Sequence, residues 1–427
     1  MTSRPRDPYP DALRAGALLV VVFGHWMATL PRVDAGVLVD TDHLLAVWPL
    51  AGVMTWLVQV VPLFVFVSAA VSADGVARRL QAGGQAHWWA ARALGLARPT
   101  VTYLAVLVAL AAAALWTGGH LLGVFNQSLT IHLWFLLMLL TVQLLLPWCL
   151  RLDARFGLGA VVGFVAVAAA LDLVRAGATS LDELRWLGRL TTERPAGIAW
   201  LNMLVVWLVP QQLGIAWKRG RFRGAGTGVG FLLLGAAWLA LAMASGYPVA
   251  MVGVTLAGNN MLPPTLALLG VMWLQVGAVL ALEPLARRAL AGHVPVRAIA
   301  VLGALGMPLY LWHKLAELPA AWLGLRLGLP IDAGIPGEPG FWLGRACWIA
   351  LCLAMVAPVI ALVVRFELRR DRDVAGAERL SRIVAGGAAL YAGLAAALVL
   401  GVWPGAPVGL ACVALASWLL RQPKSMA

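Results

Sequence analysis

Long apolar runs separated by short polar breaks follow one another from Ala15 to Leu420. A run of about 20 apolar residues lets a helix cross the hydrocarbon core of a bilayer, and shorter runs cross when flanking side chains reach for the surface. By that measure helices are expected near 12–30, 49–73, 99–117, 131–150, 158–174, 199–217, 226–244, 265–283, 299–318, 343–364 and 383–403, with a shorter twelfth near 407–420. No polar linker is long enough to set apart a second globular unit. The pattern therefore predicts one all-α, polytopic transmembrane helix bundle of about 10–12 helices.

Composition sharpens this expectation. Hydrophobic residues make up 62% of the 427 positions and charged ones 12%, against about a quarter charged in soluble domains. A soluble fold is excluded on that ground. The formal charge of +13 raises the question of nucleic acid, but the basic residues form short clusters between apolar runs with no stacking platform or recognition helix beside them. Membrane topology accounts for them instead, because cytoplasmic segments carry excess Lys and Arg. With the N-terminus inside, the inner set holds Arg4, Arg6 and Arg14, then Arg78, Arg79, Arg92 and Arg98, then Arg151 and Arg155. It continues through Lys218, Arg219, Arg221 and Arg223, then Arg287, Arg288 and Arg297, then the cluster from Arg365 to Arg382, and ends with Arg421 and Lys424. An even number of crossings fits that bias, which favours twelve helices or eleven and a short re-entrant end. The expected location is the cell membrane, multi-pass, with a cytoplasmic N-terminus, and the Ala/Gly/Arg-rich usage points to a bacterial source. Cys149, Cys347, Cys352 and Cys412 fall inside apolar runs without metal-ligand spacing and read as packing residues. Arg14 and His25 interrupt the first apolar run, which argues for a retained helix rather than a cleaved signal.

Chemistry concentrates in a few places. Asp11-Ala-Leu-Arg14 is followed eleven positions after the arginine by His25. On a helix that spacing makes close to three turns and a rise of about 16 Å, so Arg14 and His25 share one face at different depths. An ionisable group deep in an apolar helix is costly unless it lines a cavity or has a partner, so function is its default reading. Further along stand Pro62-Leu-Phe64-Val-Phe66-Val-Ser68, Arg92 and Arg98-Pro99, His132-Leu-Trp134-Phe135, Tyr310-Leu-Trp312-His313 and Arg365-Phe-Glu367.

Taken together, these segments resemble the acyltransferase-3 family of membrane enzymes, which move acyl groups onto hydroxyls of sugars, lipids and small molecules. The Arg, ten-residue gap, His arrangement looks like that family's first-helix signature. The segment ending at Ser68 is similar to its second helix, with Ala69 where the family has Gly, and Arg98-Pro99 is similar to the opening of its third helix, although Arg92 stands farther from Arg98 than the family's paired arginines do. The resemblance spans residues 7–367. It implies an acyltransferase-3-like domain over 1–370, followed over 371–427 by a basic C-terminal segment with one or two additional transmembrane helices. It also implies an O-acyltransferase with no permanently bound cofactor, using acyl-CoA as donor substrate and a carbohydrate, lipid or small-molecule hydroxyl as acceptor, with cell-surface polysaccharide O-acetylation as one such role. His25 and Arg14 are its expected essential pair, with Asp11 fixing Arg14.

The residues themselves agree. A phosphate-bearing donor needs cations at the cytoplasmic face, and Arg14, Arg92 and Arg98 are assigned there. An acceptor hydroxyl needs a base titrating near neutrality, and the ordinary His pKa of about 6.5 fits His25. His132 and His313 are assigned to the exterior ends of their spans, where a polar acceptor arrives. Trp134, Tyr310, Ser68 and Glu367 complete the expected substrate contacts, and Glu367 is also a candidate ion-pair partner for an inner arginine. Trp134, Trp312 and Trp342 also suit interface anchoring.

Other clusters read as ordinary surface. Asp40-x-Asp42-His43 is taken as a solvated loop rather than a metal site, and no metal is expected. The loop with Asp182, Glu183, Arg185, Arg189, Glu193 and Arg194 reads as a surface ion-pair network. Lys218 to Arg223 sets topology. A rival reading is a proton-coupled or lipid-linked transporter with a His and Arg relay. The lack of internally related halves counts against it. Oligomeric state is not encoded legibly.

Overall fold

The computed structural model describes residues 7–118, 120–177, 200–253, 259–332, 334–367 and 379–421. The mixed-charge loop from Asp182 to Arg194, the basic stretch 371–378, Arg4, Arg6 and Lys424 lie outside the described residues. The described chain is all-α apart from one small hairpin. In order it comprises α1 (Pro8–Ala28), β1 (Thr29–Asp34), β2 (Val37–His43), α2 (Ala51–Val58), α3 (Val61–Gln81), α4 (Gln85–Thr117), α5 (Trp134–Phe156) and α6 (Gly159–Gly177). There follow α7 (Asn202–Lys218), α8 (Ala225–Ala244), α9 (Leu266–Ala289), α10 (His293–Trp312), α11 (Glu317–Arg326), α12 (Phe341–Glu367), α13 (Leu380–Leu400) and α14 (Ala406–Leu420). Among the described residues nine helical stretches are long and apolar enough to cross a membrane, the last of them, Leu380–Leu420, comprising both α13 and α14.

The expected apolar runs are helical, with 49–73 broken at Gln59 and Val60 into α2 and α3, and three further boundaries differ from expectation. Residues 29–43, expected as helix end and loop, form an antiparallel hairpin in which Thr29 faces His43 and Leu30 faces Asp42. Its two-residue turn places both Ala35 (φ 46°) and Gly36 (φ 78°) in the left-handed region, the backbone that matches the twist of a tight hairpin. Pro31 and the charged residues around it mask the strand in sequence. Second, α4 begins at Gln85 rather than at Pro99, because Ala, Arg, Leu and Gln over 85–98 favour helix. Pro99 therefore sits inside the helix, where Thr100 donates its hydroxyl to the Leu96 carbonyl at 2.7 Å. Third, α10 stops at Trp312 and the chain turns over 313–316, so His313 is not part of the helix.

The chain divides into two compact units. One comprises residues 1–21, 48–77 and 145–303, the other 22–47, 78–144 and 304–427. In the first, α8 and α9 pack along glycines spaced seven apart on each helix, Gly228 and Gly235 against Gly270 and Gly277. A Cβ on Gly235 would stand 2.7 Å from the Leu274 nitrogen and one on Gly277 the same distance from the Leu232 nitrogen, so these backbones approach as only small residues allow. The polar turn before α9 is a structural knot. Asn260 Oδ1 accepts from the Thr265 hydroxyl at 2.7 Å, Asn259 Oδ1 accepts from Met261 and Leu262, and Thr265 caps α9 by accepting the Ala267 N–H. The buried carboxylate of Asp153 is held by Arg221 at 2.9 Å and Arg219 at 3.0 Å, so two cations of the Lys218–Arg223 cluster serve a helix end.

In the second unit α13 and α14 form a helical hairpin on the flank of α4. Gly386 meets Leu420 and Gly393 meets Val413, while Gly387 admits the Trp89 ring. Val402 at the bend donates its N–H to Asn126 Oδ1 at 2.8 Å, and Tyr391 and Thr141 hydroxyls lie 2.9 Å apart.

Candidate active site

A cluster of buried ionisable side chains occupies the second unit, and it forms where the ends of three helices meet. His25 stands in the last turn of α1, His132 just ahead of α5, and His313 just after α10. His25 Nδ1 and His313 Nε2 are 2.8 Å apart, with the rings nearly coplanar at 22°. His132 packs edge-on against His313 with centroids 5.5 Å apart. Of the three, His25 keeps partial exposure, whereas His132 and His313 are buried, at 1% and 0%. The last two therefore form the packed interior of a site instead of standing free at span ends. The turn after α10 is the physical reason for His313.

Aromatic side chains fix the two buried rings. Tyr103 packs edge-on against both His132 and Trp312, and its hydroxyl donates to the Leu129 carbonyl at 2.6 Å. The Tyr310 hydroxyl donates to the His132 carbonyl, and the Tyr310 carbonyl accepts from His313 Nδ1 at 2.7 Å. Trp26 donates its indole N–H to the His313 carbonyl at 3.0 Å. Trp134 stands against Phe135, which packs on Tyr310. Glu367 accepts the indole N–H of Trp312 at 2.9 Å; among the described residues this indole, not the expected arginine, is its hydrogen-bond partner. Burial pushes the Glu367 carboxyl up to about 7, with the Trp312 N–H opposing the rise.

Four residues that sequence reasoning passed over complete the cluster. Lys314 and Glu317 form a buried ion pair, with Nζ at 2.6 and 2.7 Å from the two carboxylate oxygens. Thr29, the first residue after α1, joins this pair to His25: its hydroxyl lies 3.1 Å from both the His25 carbonyl and Lys314 Nζ. Arg345, 1% exposed, donates to the Thr29 carbonyl at 2.5 Å and the Ile331 carbonyl at 3.1 Å. A signal existed for all the charged ones, since Lys314, Glu317 and Arg345 sit in or beside apolar helices, where charge is expensive.

The hairpin beside the cluster disposes of its own charges. Arg32 bonds Asp42 at 2.6 Å and Asp332 at 3.3 Å, and His43 Nδ1 accepts the Leu45 N–H at 3.2 Å. Burial, aided by the charge of Lys314, lowers the His43 pKa to about 4.

The remaining expected residues divide between the two units. Asp11, Arg14 and Ser68 belong to the first unit, where the Arg14 guanidinium stands 5.5 Å from the centre of the Phe64 ring. Arg92 and Arg98 lie on α4 in the second unit, Arg92 exposed over Trp88 and Arg98 half-buried. Within the second unit the structure thus brings together His25, His132, Tyr310 and His313 and links Glu367 to them through Trp312.

Apolar helices of spanning length enclosing a cluster of buried histidines define a polytopic membrane protein with an ionisable interior site. The family model described as an acyltransferase domain, that of the acyltransferase-3 family, matches residues 7–365. The chain belongs to that family and is a membrane acyltransferase. Comparison with curated proteins and with solved structures gave no match.

Proposed function

We propose that this chain transfers a short acyl group from acyl-CoA to a hydroxyl of a carbohydrate, lipid or small-molecule acceptor, with His25 as general base. The observation that carries this reading is that His25 is the one partly exposed residue of the three-histidine cluster and is backed by a buried hydrogen-bonded partner. In the proposed step the His25 imidazole takes the acceptor's hydroxyl proton while the oxygen attacks the thioester carbonyl. The tetrahedral intermediate expels the coenzyme A thiolate, which takes the proton back from the imidazolium. One C–O bond forms, one C–S bond breaks, and the enzyme returns to its starting state.

Arg14 would hold donor phosphate or stabilise developing charge, with Asp11 orienting it, and Arg92 and Arg98 would meet further donor phosphates. His132, Tyr310, Trp134, Ser68 and Glu367 would position the acceptor. The excess of Lys and Arg in alternate loops supports a cytoplasmic donor side and a cytoplasmic N-terminus in a plasma membrane. Replacing His25 by Ala should lower acyl transfer by at least about a hundredfold, within the range for a lost acid–base group, while the protein still inserts in membranes. Mass spectrometry of surface glycans and lipids from cells with and without the protein provides the readout. An acyl-group mass difference that persists unchanged in the His25→Ala strain would remove His25 from the chemistry.

A further inference from the structure

The hydrogen bonds around His313 carry a second consequence. Its Nδ1 lies 2.7 Å from the Tyr310 carbonyl, which has only lone pairs to offer, so Nδ1 must carry the proton. In the neutral ring Nε2 is then an acceptor, and the 2.8 Å contact obliges His25 Nδ1 to be the donor. The lone pair of His25 falls on Nε2, the nitrogen pointing away from His313.

We propose that His313 is the positioning residue that sets the tautomer of His25, holding its proton on Nδ1 and leaving Nε2 as the reactive base. This rests on the reading of His25 as general base. A carboxylate often fills this role in hydrolases, but the carboxylate of this cluster, Glu317, is engaged by Lys314 and Thr29. An imidazole takes its place. When His25 gains a proton at Nε2, its Nδ1–H keeps donating to His313 Nε2, and His313 Nδ1–H keeps donating to the Tyr310 carbonyl, so no group has to reorient during the step. His313 is suited to the task because it is immobile: 0% exposed, with its carbonyl bonded by Trp26, and with Tyr310 anchored through its own hydroxyl to His132.

The test begins on the unmodified protein. Nitrogen-15 histidine NMR of the full-length chain in nanodiscs, with the His25 signal assigned by its loss in His25→Ala, should show a neutral ring protonated at Nδ1. A His25 ring protonated at Nε2 overturns the proposal. In His313→Leu the His25 signal should become that of mixed tautomers, whereas His313→Gln, whose amide oxygen can accept near the position of Nε2, should keep the wild-type signal. With acetyl-CoA as donor in membranes from the producing cells, His313→Leu should lower turnover about a hundredfold with an unchanged KM, and His313→Gln should stay within about tenfold of wild type. If His25→Ala is inactive but His313→Leu turns over like wild type, the positioning role falls and the base survives. If His25→Ala is itself active, the base falls first.

Discussion

The two units handle buried ionisable groups in opposite ways. In the first, Asp153 and Asp172 each secure the backbone around them: Asp153 is clasped by Arg219 and Arg221, and Asp172 accepts from Tyr247 and from the Leu266 N–H at the start of α9. Such carboxylates fasten helix ends. In the second unit the buried ionisable groups meet one another, His25 on His313 and Lys314 on Glu317, with Thr29 between them. Burying charge is costly unless it is paired, and it is seldom the most stable use of the space. Gathering such groups in one place costs stability, and under the function proposed above it serves acyl transfer.

The comparison breaks first, and hardest, at the Lys314–Glu317 pair. Glu317→Gln leaves a buried ammonium without its counter-charge, so unfolding stability should fall by about 3–5 kcal/mol, the range for breaking a buried pair. Replacing both residues by Leu should restore much of the loss while leaving acyl transfer impaired. Thermal unfolding in detergent checks the first outcome and turnover the second. A double variant with full activity would make the pair purely structural and erase the contrast between the units.

Asp153 supplies the counterpart. Its arginines are about a third exposed and regain water when released, so Asp153→Asn should cost less, about 2 kcal/mol for the charge-assisted hydrogen bonds lost. Turnover per folded molecule should not change. A fall in turnover out of proportion to the folded fraction would give Asp153 a part in the chemistry that this reading does not assign it.

His132 tests the second unit from the other direction. Its ring is buried, and among the described residues its nitrogens make at most a long hydrogen bond to the Leu311 backbone. His132→Phe removes two poorly paired polar atoms and keeps the shape, so stability should hold or rise by up to about 1 kcal/mol. If the ring meets the acceptor, turnover should fall about tenfold, the scale of one lost hydrogen bond. Unfolding and product assays on the same preparation separate the two effects.

The sequence disclosed these features unevenly. Apolar run length located the spans, because a helix in lipid has to satisfy its own backbone, and the Arg14 to His25 spacing marked the first helix. The hairpin escaped because Pro31 and its charged neighbours read as a loop, and the start of α4 escaped because Pro99 looked like a helix opening. Lys314, Glu317 and Arg345 are visible as charges beside or within apolar segments, but Thr29, which joins the Lys314–Glu317 pair and Arg345 to the His25 end of α1, lies hundreds of residues away in the chain. Which nitrogen of His25 is free is not written in residue types at all. It follows from a backbone carbonyl at 2.7 Å from His313.

The smallest expected effect concerns Glu367, at the edge of the second unit's cluster. Its pKa is raised to about 7, by burial first, with the Trp312 N–H opposing. An unfolded glutamate titrates near 4.5, so between those values the folded chain binds the proton that the unfolded chain has lost. The folded state is therefore favoured by this group at acid pH, and the advantage fades as pH rises through about 7. Glu367→Gln, neutral at every pH and still able to accept from the indole, should lack that dependence. The informative quantity is the difference in melting temperature between wild type and variant. Wild type should lose ground to Glu367→Gln from pH about 5 to about 8, by a few degrees at most, because the side chain is only partly buried. A flat difference would place Glu367 in water rather than against Trp312, and would cut its connection to the histidine cluster.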